Sequence, residues 1–400
     1  MKILGLLLSF AACAPFASAQ APSIVHGTIR DAVTDAPIPY ASIGVPKFGI
    51  GTISNAEGSF RFSAPASRPF DSLTFSCLGY DSYHIRLQPT LFGEPQIVRL
   101  VPHLYQLHEV TVTGSTVQNL LNRAVRTTTS LLLNPVTLAS YYREFAQTDG
   151  QYTKFADALV DYYIASGQEA VRKPDIQVRV RESRAGEAPL NDKTSFARAI
   201  PSSIAVDRAM AWYSPVVGND FLDSLNFSLY RYTIQAPVNQ SDAAFYVVTF
   251  APISHESMHL NRGTVRIDRR TLVIQAIDSE LPEELRPYAA ETNVLGVKAK
   301  LVARQVHREF HLLNGRCYPG FSRLYAALDV KNRQESFRCA FTSEILVTAV
   351  VEPATPFAKS ERYSGSLYKN GTKYQHTYWE NYNTVPATQQ EAAAIAKLAN

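Results

Sequence analysis

The sequence contains one short motif with the spacing of metal ligands. His255-Glu256-Ser257-Met258-His259 matches the H-E-x-x-H pattern of zinc proteases. In those enzymes the two histidines lie one turn apart on a helix and bind one zinc ion, while the glutamate acts as general base towards the zinc-bound water. A zinc-dependent hydrolase that uses His255, Glu256 and His259 is therefore one hypothesis for this chain.

The segments on both sides of this motif favour a loop rather than a helix. Residues 244–250 and 263–267 are rich in β-branched and aromatic residues, which predicts a strand on each side. The stretch between them, 252–262, leaves little room for a supported active-site helix. Acidic residues downstream could supply a third ligand, although none lies on a clear helix: Asp268, Asp278, Glu280, Glu283 and Glu284. We therefore interpret the match as accidental and predict no catalytic residues, no metal ligands and no cofactor.

The rest of the sequence offers weaker chemical signals. It contains no G-x-S-x-G, P-loop or G-x-G-x-x-G pattern. The acidic run 278–284 could hold calcium, but a solvated loop is the simpler interpretation, because calcium needs about 6–8 converging oxygens. The remaining histidines, His307 among them, are scattered and are interpreted as surface or strand residues. Four tyrosines could form a platform for a sugar or peptide, although core packing is the default expectation: Tyr141, Tyr142, Tyr162 and Tyr163.

The composition indicates a globular chain rich in β structure. Hydrophobic residues make up 46% of the 400 residues, and the 21 Tyr and 20 Phe favour strands. The formal net charge is +4 and no basic block occurs, so a nucleic-acid partner is not expected. Cys77, Cys317 and Cys339 are predicted to be free thiols, because the last two fall far out of register in a hairpin that turns at 331–333.

The first 19 residues have the features of a secretory signal peptide. Lys2 precedes the apolar stretch 3–13, and Ala17-Ser18-Ala19 is an A-x-A cleavage site. The alternative is a lipoprotein signal with Cys13 as the lipidated residue. No later stretch reaches the roughly 18 apolar residues of a membrane helix. We expect an exported protein of the periplasm or the outer-membrane surface, with at most peripheral membrane association.

Residues 24–113 alternate between short strands and turn residues, which predicts a β-sandwich. Three stretches carry a resemblance: HGTIRDAVTDAPIPYASIGV, GTISNAEGSFRF and LTFSCLGYDSYHIRL. Together they resemble the carboxypeptidase-regulatory-like domain. The resemblance implies that residues 20–114 form a transthyretin-like β-sandwich. Gly58, in the second stretch, is expected to occupy a tight turn between two strands.

Residues 115–400 are predicted to form a larger, mostly antiparallel β domain with helices at both ends. Ser115-x-x-Gln118 and Thr388-x-x-Glu391 are capping boxes that indicate the two helices, and Asn134-Pro135 stops the first. Asp149-Gly150 lies between alternating aromatic runs and predicts a hairpin. Further strands are predicted at 227–234, 244–250, 263–267, 273–279, 297–310, 321–330 and 337–350.

This second region is similar to the uncharacterised C-terminal region of exported Bacteroidetes proteins that carry the same front module. The combined interpretation is a non-catalytic exported envelope protein that acts in binding or assembly. Its partner would be another envelope protein, a glycan or a peptide. The alternatives are the zinc hydrolase and a carrier of lipid or lipoprotein with a curved sheet, which would require a large apolar concavity.

Overall fold

A computed structural model of the chain describes thirteen stretches: residues 23–64, 72–77, 79–102, 114–132, 134–165, 175–188, 206–235, 244–255, 261–289, 291–294, 296–333, 335–370 and 382–398. The predicted signal peptide, residues 1–19, therefore lies outside the described residues, as do Cys13 and the segment 103–113 before the expected domain boundary. The boundary near Gly114 stays a prediction. Among the described residues, no helix combines the length and the apolar character that crossing a bilayer requires.

The N-terminal residues form a β-sandwich, as predicted. Its first sheet has the order β4-β1-β7, with β1 (Ser23–Asp31), β4 (Ser59–Ala64) and β7 (Pro95–Leu100). Its second sheet has the order β3-β2-β5-β6, with β2 (Ser42–Val45), β3 (Ile50–Ile53), β5 (Ser72–Ser76) and β6 (Tyr83–Arg86). The two sheets enclose an apolar core because alternate residues of their strands point inwards, among them Ile29, Ile43, Phe62 and Phe75.

The turn before β4 shows why a glycine stands at position 58. The Asn55 side chain accepts hydrogen bonds from the backbone N–H groups of Glu57 and Ser59, both at 2.9 Å, which closes the turn. Gly58 then follows with φ of +74°. A Cβ atom at this position would lie 2.6 Å from the carbonyl oxygen of Ile29. Both the backbone conformation and the close approach of β1 therefore exclude a side chain.

We expect Gly58→Val to lower the free energy of unfolding by about 1–3 kcal/mol, because strain at positive φ adds to a steric clash. Gly93→Val is the matched control, since Gly93 has φ of +86° in the same sandwich but no atom within 4 Å of its added Cβ. Thermal melts of the full chain should show the larger loss for Gly58→Val. Equal melting temperatures for the two variants would contradict the steric part of this explanation.

The larger domain is built on an eleven-stranded antiparallel sheet, as the fold class predicted. The strand order is β10-β9-β8-β18-β17-β16-β14-β13-β12-β11, and β15 pairs with β16 beside this path. The strands are β8 (Val136–Thr148), β9 (Gln151–Ile164), β10 (Ile176–Glu187), β11 (Tyr230–Gln235), β12 (Phe245–Pro252), β13 (Arg262–Asp268), β14 (Ile274–Glu280), β15 (Glu291–Val294), β16 (Val297–Leu313), β17 (Arg316–Lys331) and β18 (Ser336–Val351). Asp149 and Gly150, with φ of 50° and 78°, join β8 and β9 in the predicted hairpin.

One face of the large sheet is covered by helix α1 (Gly114–Leu131) and by the segment 206–229. Val117, Leu121 and Ala124 of α1 are fully buried in this core. The segment 206–229 consists of the short helix α2 (Val206–Ala209) and several 3-10 turns. The strand predicted at 227–234 is wrong over its first three residues, because Ser224–Leu229 is a 3-10 helix and the strand begins at Tyr230.

The opposite face carries the N-terminal sandwich and the C-terminal segment. Ile53 of the sandwich packs with Tyr141, Phe321 and Leu346 of the sheet and with Val385 of the C-terminal segment. The C-terminal segment includes the short helix α3 (Leu367–Asn370) and ends in helix α4 (Gln389–Leu398). The second capping box is confirmed, because the Thr388 N–H donates to the Glu391 carboxylate at 2.9 Å and the Glu391 N–H donates to the Thr388 hydroxyl at 3.2 Å.

Because the sheet is covered on both faces, several residues that could have been exposed lie in its interior. The four tyrosines of the possible ligand platform are at most 7% exposed, so they form core and offer no open surface: Tyr141, Tyr142, Tyr162 and Tyr163. Cys77, Cys317 and Cys339 form no disulfide in the described structure, as predicted, and Cys339 pairs with Leu328 in the ladder rather than with position 325. The register differs because the β17–β18 loop is longer than the predicted turn.

Candidate ligand-binding cavity

A row of polar side chains crosses the sheet face that carries the N-terminal sandwich. Each member stands directly opposite the next one in the strand ladders, so the row spans ten strands without interruption. In spatial order the row is Thr233, Thr249, Thr264, Asp278, His307, Arg323, Glu344, Arg143, Asp157 and Arg184.

The half of the row around Arg143 is buried and its charges neutralise each other. The Arg143 guanidinium is 2.5 Å from the Glu344 carboxylate and 3.5 Å from Glu391 of α4, and it donates to the carbonyl oxygen of Val385 at 3.2 Å. Burial alone would lower the pKa of Arg143, but the carboxylates outweigh burial and raise it. Arg184 pairs with the buried Asp157 carboxylate at 2.8 Å. This half is therefore structural.

The other half of the row lines an open cavity of about 590 Å³. Thr233, Thr249 and Thr264 form one wall with their strands, and the sandwich contributes Tyr40. The described lining residues include four cationic side chains, Arg231, Arg262, His307 and Arg323, and two acidic ones, Asp278 and Glu280. A cavity with hydroxyl groups and an excess of positive charge is suited to an anionic, hydrogen-bonding ligand.

His307 is held as a cation between two carboxylates. Its Nδ1 is 2.6 Å from Asp278 Oδ1, and its Nε2 is 3.3 Å from Glu309 Oε1. Burial alone would lower the pKa of His307, but Asp278 and Glu309 outweigh burial and raise it to about 10. Burial alone would raise the pKa of Glu309, but His307 and His311 outweigh burial and hold it well below its usual range. Ser42 of the sandwich donates a hydrogen bond to the same carboxylate. A histidine that stays protonated at neutral pH cannot serve as a general base.

The three arginines of the cavity differ in the ion pairs that they already form with other residues of the protein. Arg262 is paired with Glu280 at 2.9 Å and with Glu284 at 2.8 Å. The Arg323 Nε lies 3.5 Å from Glu344, and its guanidinium lies 5.0 Å from the centre of the Tyr40 ring. Arg231 is exposed at the edge strand β11 and has no ion pair among the described residues. Arg231 is therefore the cation most available to a ligand.

The zinc motif is not completed by the described residues. His255 is exposed, and its ring centre lies 4.1 Å from that of Tyr288, whereas Glu256 and His259 lie outside the described residues. No group of three or more potential metal ligands occurs within the described part of the chain. Of the acidic candidates for a third ligand, Asp268 accepts hydrogen bonds from the backbone N–H groups of Arg270 and Thr271.

The remaining acidic candidates are partners of cations. Glu280 and Glu284 bind Arg262, Glu283 binds Arg286 at 3.3 Å, and Asp278 binds His307. The acidic run 278–284 is thus part of an ion-pair network in the described structure. The prediction that the zinc motif is accidental stays a prediction.

Sequence reasoning did not find the cavity. It placed His307 among scattered surface or strand residues, yet the structure puts its partly buried side chain at the centre of the polar row. One signal was present: charged residues interrupt the aromatic and aliphatic runs of the strands, as in Tyr142-Arg143-Glu144-Phe145 and Val306-His307-Arg308-Glu309. Charges inside long central strands indicate internal ion pairs or a site, because unpaired charges are not tolerated there.

Comparison with known proteins bears mainly on the N-terminal sandwich. Residues 25–112 match the CarboxypepD_reg-like domain, which confirms the resemblance for that part of the chain. No curated protein is significantly similar in sequence. A DUF1329 family protein from Desulfovibrio piger ATCC 29098 aligns with 62% of this chain and 99% of its own, at 10% identity and a TM-score of 0.28. A Bacteroides fragilis NCTC 9343 protein of unknown function aligns with 83% of this chain and 99% of its own, at 10% identity and a TM-score of 0.15.

Residues 25–112 of the chain thus match the CarboxypepD_reg-like domain, and its larger part is built on the eleven-stranded sheet. The two solved structures support no inference about the larger domain, because their TM-scores are low. Its role therefore has to be argued from its own residues.

We expect His307→Gln to lower the free energy of unfolding by about 3 kcal/mol at pH 6, because two carboxylates would lose their shared cation. The folded-state pKa of His307 is raised to about 10. The stabilisation is therefore fully present below the unfolded-state pKa of about 6.5 and is lost as the pH rises through 10. Urea unfolding of both proteins at pH 6, 8 and 10 measures this. A difference between them that does not shrink towards pH 10 would contradict the assignment.

We also expect the purified chain, produced without a histidine tag, to hold no stoichiometric zinc after dialysis. The reason is that the sequence between β12 and β13 predicts a polar loop, and a loop does not converge ligands as an active-site helix does. Metal analysis by mass spectrometry measures the content directly. One zinc per chain that disappears in both His255→Ala and His259→Ala would establish the hydrolase hypothesis instead.

Proposed function

We propose that this chain is a non-catalytic exported envelope protein that binds an acidic glycan in the cavity between its N-terminal sandwich and its large sheet. The observation that carries the proposal is the division of the polar row. Its buried half is neutralised by protein partners, whereas its open half presents three threonine hydroxyls to a cavity of about 590 Å³, beside the exposed Arg231, which has no ion pair among the described residues. The chemistry of the open half is complementary to carboxylate or sulfate groups carried on a hydroxylated chain.

Each part of the cavity supports this ligand class. Guanidinium groups bind carboxylate and sulfate oxygens through paired hydrogen bonds, and Arg231 is free of described ion pairs. The hydroxyls of Thr233 and Thr264 can donate to and accept from sugar hydroxyls, and the Thr249 hydroxyl, which donates to the Thr233 carbonyl oxygen at 3.3 Å, can accept. Tyr40 adds an aromatic side chain to the cavity lining. Such a mixture of hydroxyl, aromatic and cationic groups fits a saccharide better than an extended apolar molecule.

The alternatives receive less support from the described residues. The zinc hydrolase would use Glu256 as its general base, and that residue lies outside the described residues. In the cavity, His307 is held in its protonated form by Asp278 and Glu309 and supplies no general base there. A lipid carrier would need an open apolar concavity, but α1 and the segment 206–229 fill the apolar face of the sheet. Export is supported by the leader sequence in residues 1–19.

Isothermal titration with oligogalacturonate tests the proposal, with an uncharged oligomer of galactose as the reference ligand. We expect binding of oligogalacturonate only, with an affinity that falls as salt is added, because exposed charges are screened. Arg231→Gln should weaken binding roughly tenfold by removing one charge-assisted contact. Arg338→Gln is the matched control, since Arg338 is an exposed arginine on the same sheet that pairs with Asp329 at 2.6 Å, outside the cavity.

The outcomes separate the possible partners. Binding of oligogalacturonate that Arg231→Gln weakens and Arg338→Gln does not would support the proposal. Absence of binding, or equal binding of the uncharged oligomer, would refute it. Preferential binding of poly-glutamate would identify an acidic peptide, and not a glycan, as the class of ligand.

A further inference from the structure

A second cavity lies on the opposite face of the large sheet, between the strands and the segment 206–229. Its volume is about 270 Å³. Residues that line it and bear on its chemistry are Arg208, Trp212, Arg308, Ser322, Leu324 and Ile345. No acidic residue is among the described residues that line it. This cavity is separate from the proposed glycan site, because neighbouring residues of β16 point to opposite faces.

Arg308 is a buried cation that has no counter-ion among the described residues. Its exposed fraction is 9%, and no carboxylate forms an ion pair with it among the described residues. Its Nη1 donates to the carbonyl oxygen of Val217 at 2.9 Å, while its Nε has no hydrogen-bond partner in the described structure. Burial lowers the pKa of Arg308 to about 9, and the charge of Arg304 adds to this effect. A buried guanidinium is costly unless an anion neutralises it.

The cavity walls around this cation are apolar on one side. Trp212 is 7% exposed, and the Arg308 guanidinium lies 5.8 Å from the centre of its ring. Leu324 and Ile345 line the cavity from the sheet, and Arg208 adds a second cation from α2. The site therefore offers one anchored guanidinium beside an aromatic and aliphatic surface.

We propose that this second cavity binds a small organic carboxylate with an apolar body. The carboxylate would accept hydrogen bonds from Arg308 and neutralise its charge, because guanidinium and carboxylate match in planar geometry. The apolar body would pack against Trp212, Leu324 and Ile345. The volume of about 270 Å³ suits a compact molecule and excludes an oligosaccharide.

The competing explanation is that Arg308 serves only to hold the Val217 carbonyl and thereby the segment 206–229. The two explanations differ in what the variant Arg308→Met does without ligand. If the arginine is purely structural, losing its hydrogen bond to Val217 lowers the melting temperature. If it is an unneutralised ligand-binding group, replacing it with an apolar side chain of similar length leaves the melting temperature unchanged or raises it.

The test measures melting temperatures of the full chain with benzoate, with inorganic phosphate and with neither. We expect benzoate to raise the melting temperature of the unaltered protein by mass action, and phosphate to raise it less, because phosphate lacks an apolar body. The rise should disappear in Arg308→Met. Arg316→Met is the matched control, since Arg316 donates to the carbonyl oxygens of Leu131 and Leu132 but does not line the cavity.

Titration calorimetry with Arg308→Lys covers the case in which the methionine variant does not fold. Lysine keeps the charge but loses the planar fork, so benzoate should bind roughly tenfold more weakly than to the unaltered protein. The proposal is wrong if benzoate has no effect on the unaltered protein, if the effect persists in Arg308→Met, or if phosphate is as effective as benzoate. Benzoate affinity that is unchanged in Arg308→Lys would also overturn it.

Discussion

The buried ion pair between Arg143 and Glu344 is the interaction on which the arrangement of this chain depends. Both side chains are almost fully excluded from water, at 2% and 4% exposure, in the middle of an eleven-stranded sheet. Removing either partner of such a pair leaves an uncompensated buried charge, which costs about 3–5 kcal/mol. The pair alone does not satisfy a guanidinium with five N–H donors, so the C-terminal segment supplies the Val385 carbonyl and the Glu391 carboxylate. The need of Arg143 for further hydrogen-bond and charge partners thus positions helix α4, in addition to the apolar contacts of the helix.

The same requirement explains why the two halves of the polar row differ. Around Arg143, alternating charges meet directly across the strands, and the sandwich and the C-terminal segment can cover them at little electrostatic cost. Further along, the row changes to threonines, whose short side chains neither neutralise Arg231 nor fill the space beneath Tyr40. The described residues leave a cavity over this part of the row. Arg262, His307 and Arg323 each lie against a carboxylate, whereas Arg231 has no ion pair among the described residues and is the cation left for a ligand.

Local signals in the sequence were sufficient for the elements but not for the site. Asp149-Gly150 and the turn at Gly58 were identifiable because their conformations are dictated by one or two residues. The polar row depends instead on nine strand registers, and five of those pairings contain a shift at a bulge. One of them, at Val347/Ala349, lies three residues from the row residue Glu344 on β18. A slip of one residue moves a side chain to the other face, so no local pattern could have aligned the row. The start of the strand predicted at 227–234 was wrong because Phe227, an aromatic residue typical of strands, lies in the 3-10 helix Ser224–Leu229 and packs in the core.

Two strands show that register determines whether a buried charged side chain is neutralised. The tripeptide Arg-Glu-Phe occurs at 143–145 in β8 and at 308–310 in β16. In β8 the arginine faces the sandwich side, where β18 brings Glu344 opposite to it. In β16 the glutamate takes that side and binds His307, so Arg308 points to the helical side, where no described carboxylate meets it. Identical local sequences thus produce a neutralised structural pair in one strand and an unneutralised buried cation in the other. The neighbouring strand and the covering layer determine which groups face a charged side chain in a strand. These groups decide whether the charge stabilises the fold or remains available to a ligand.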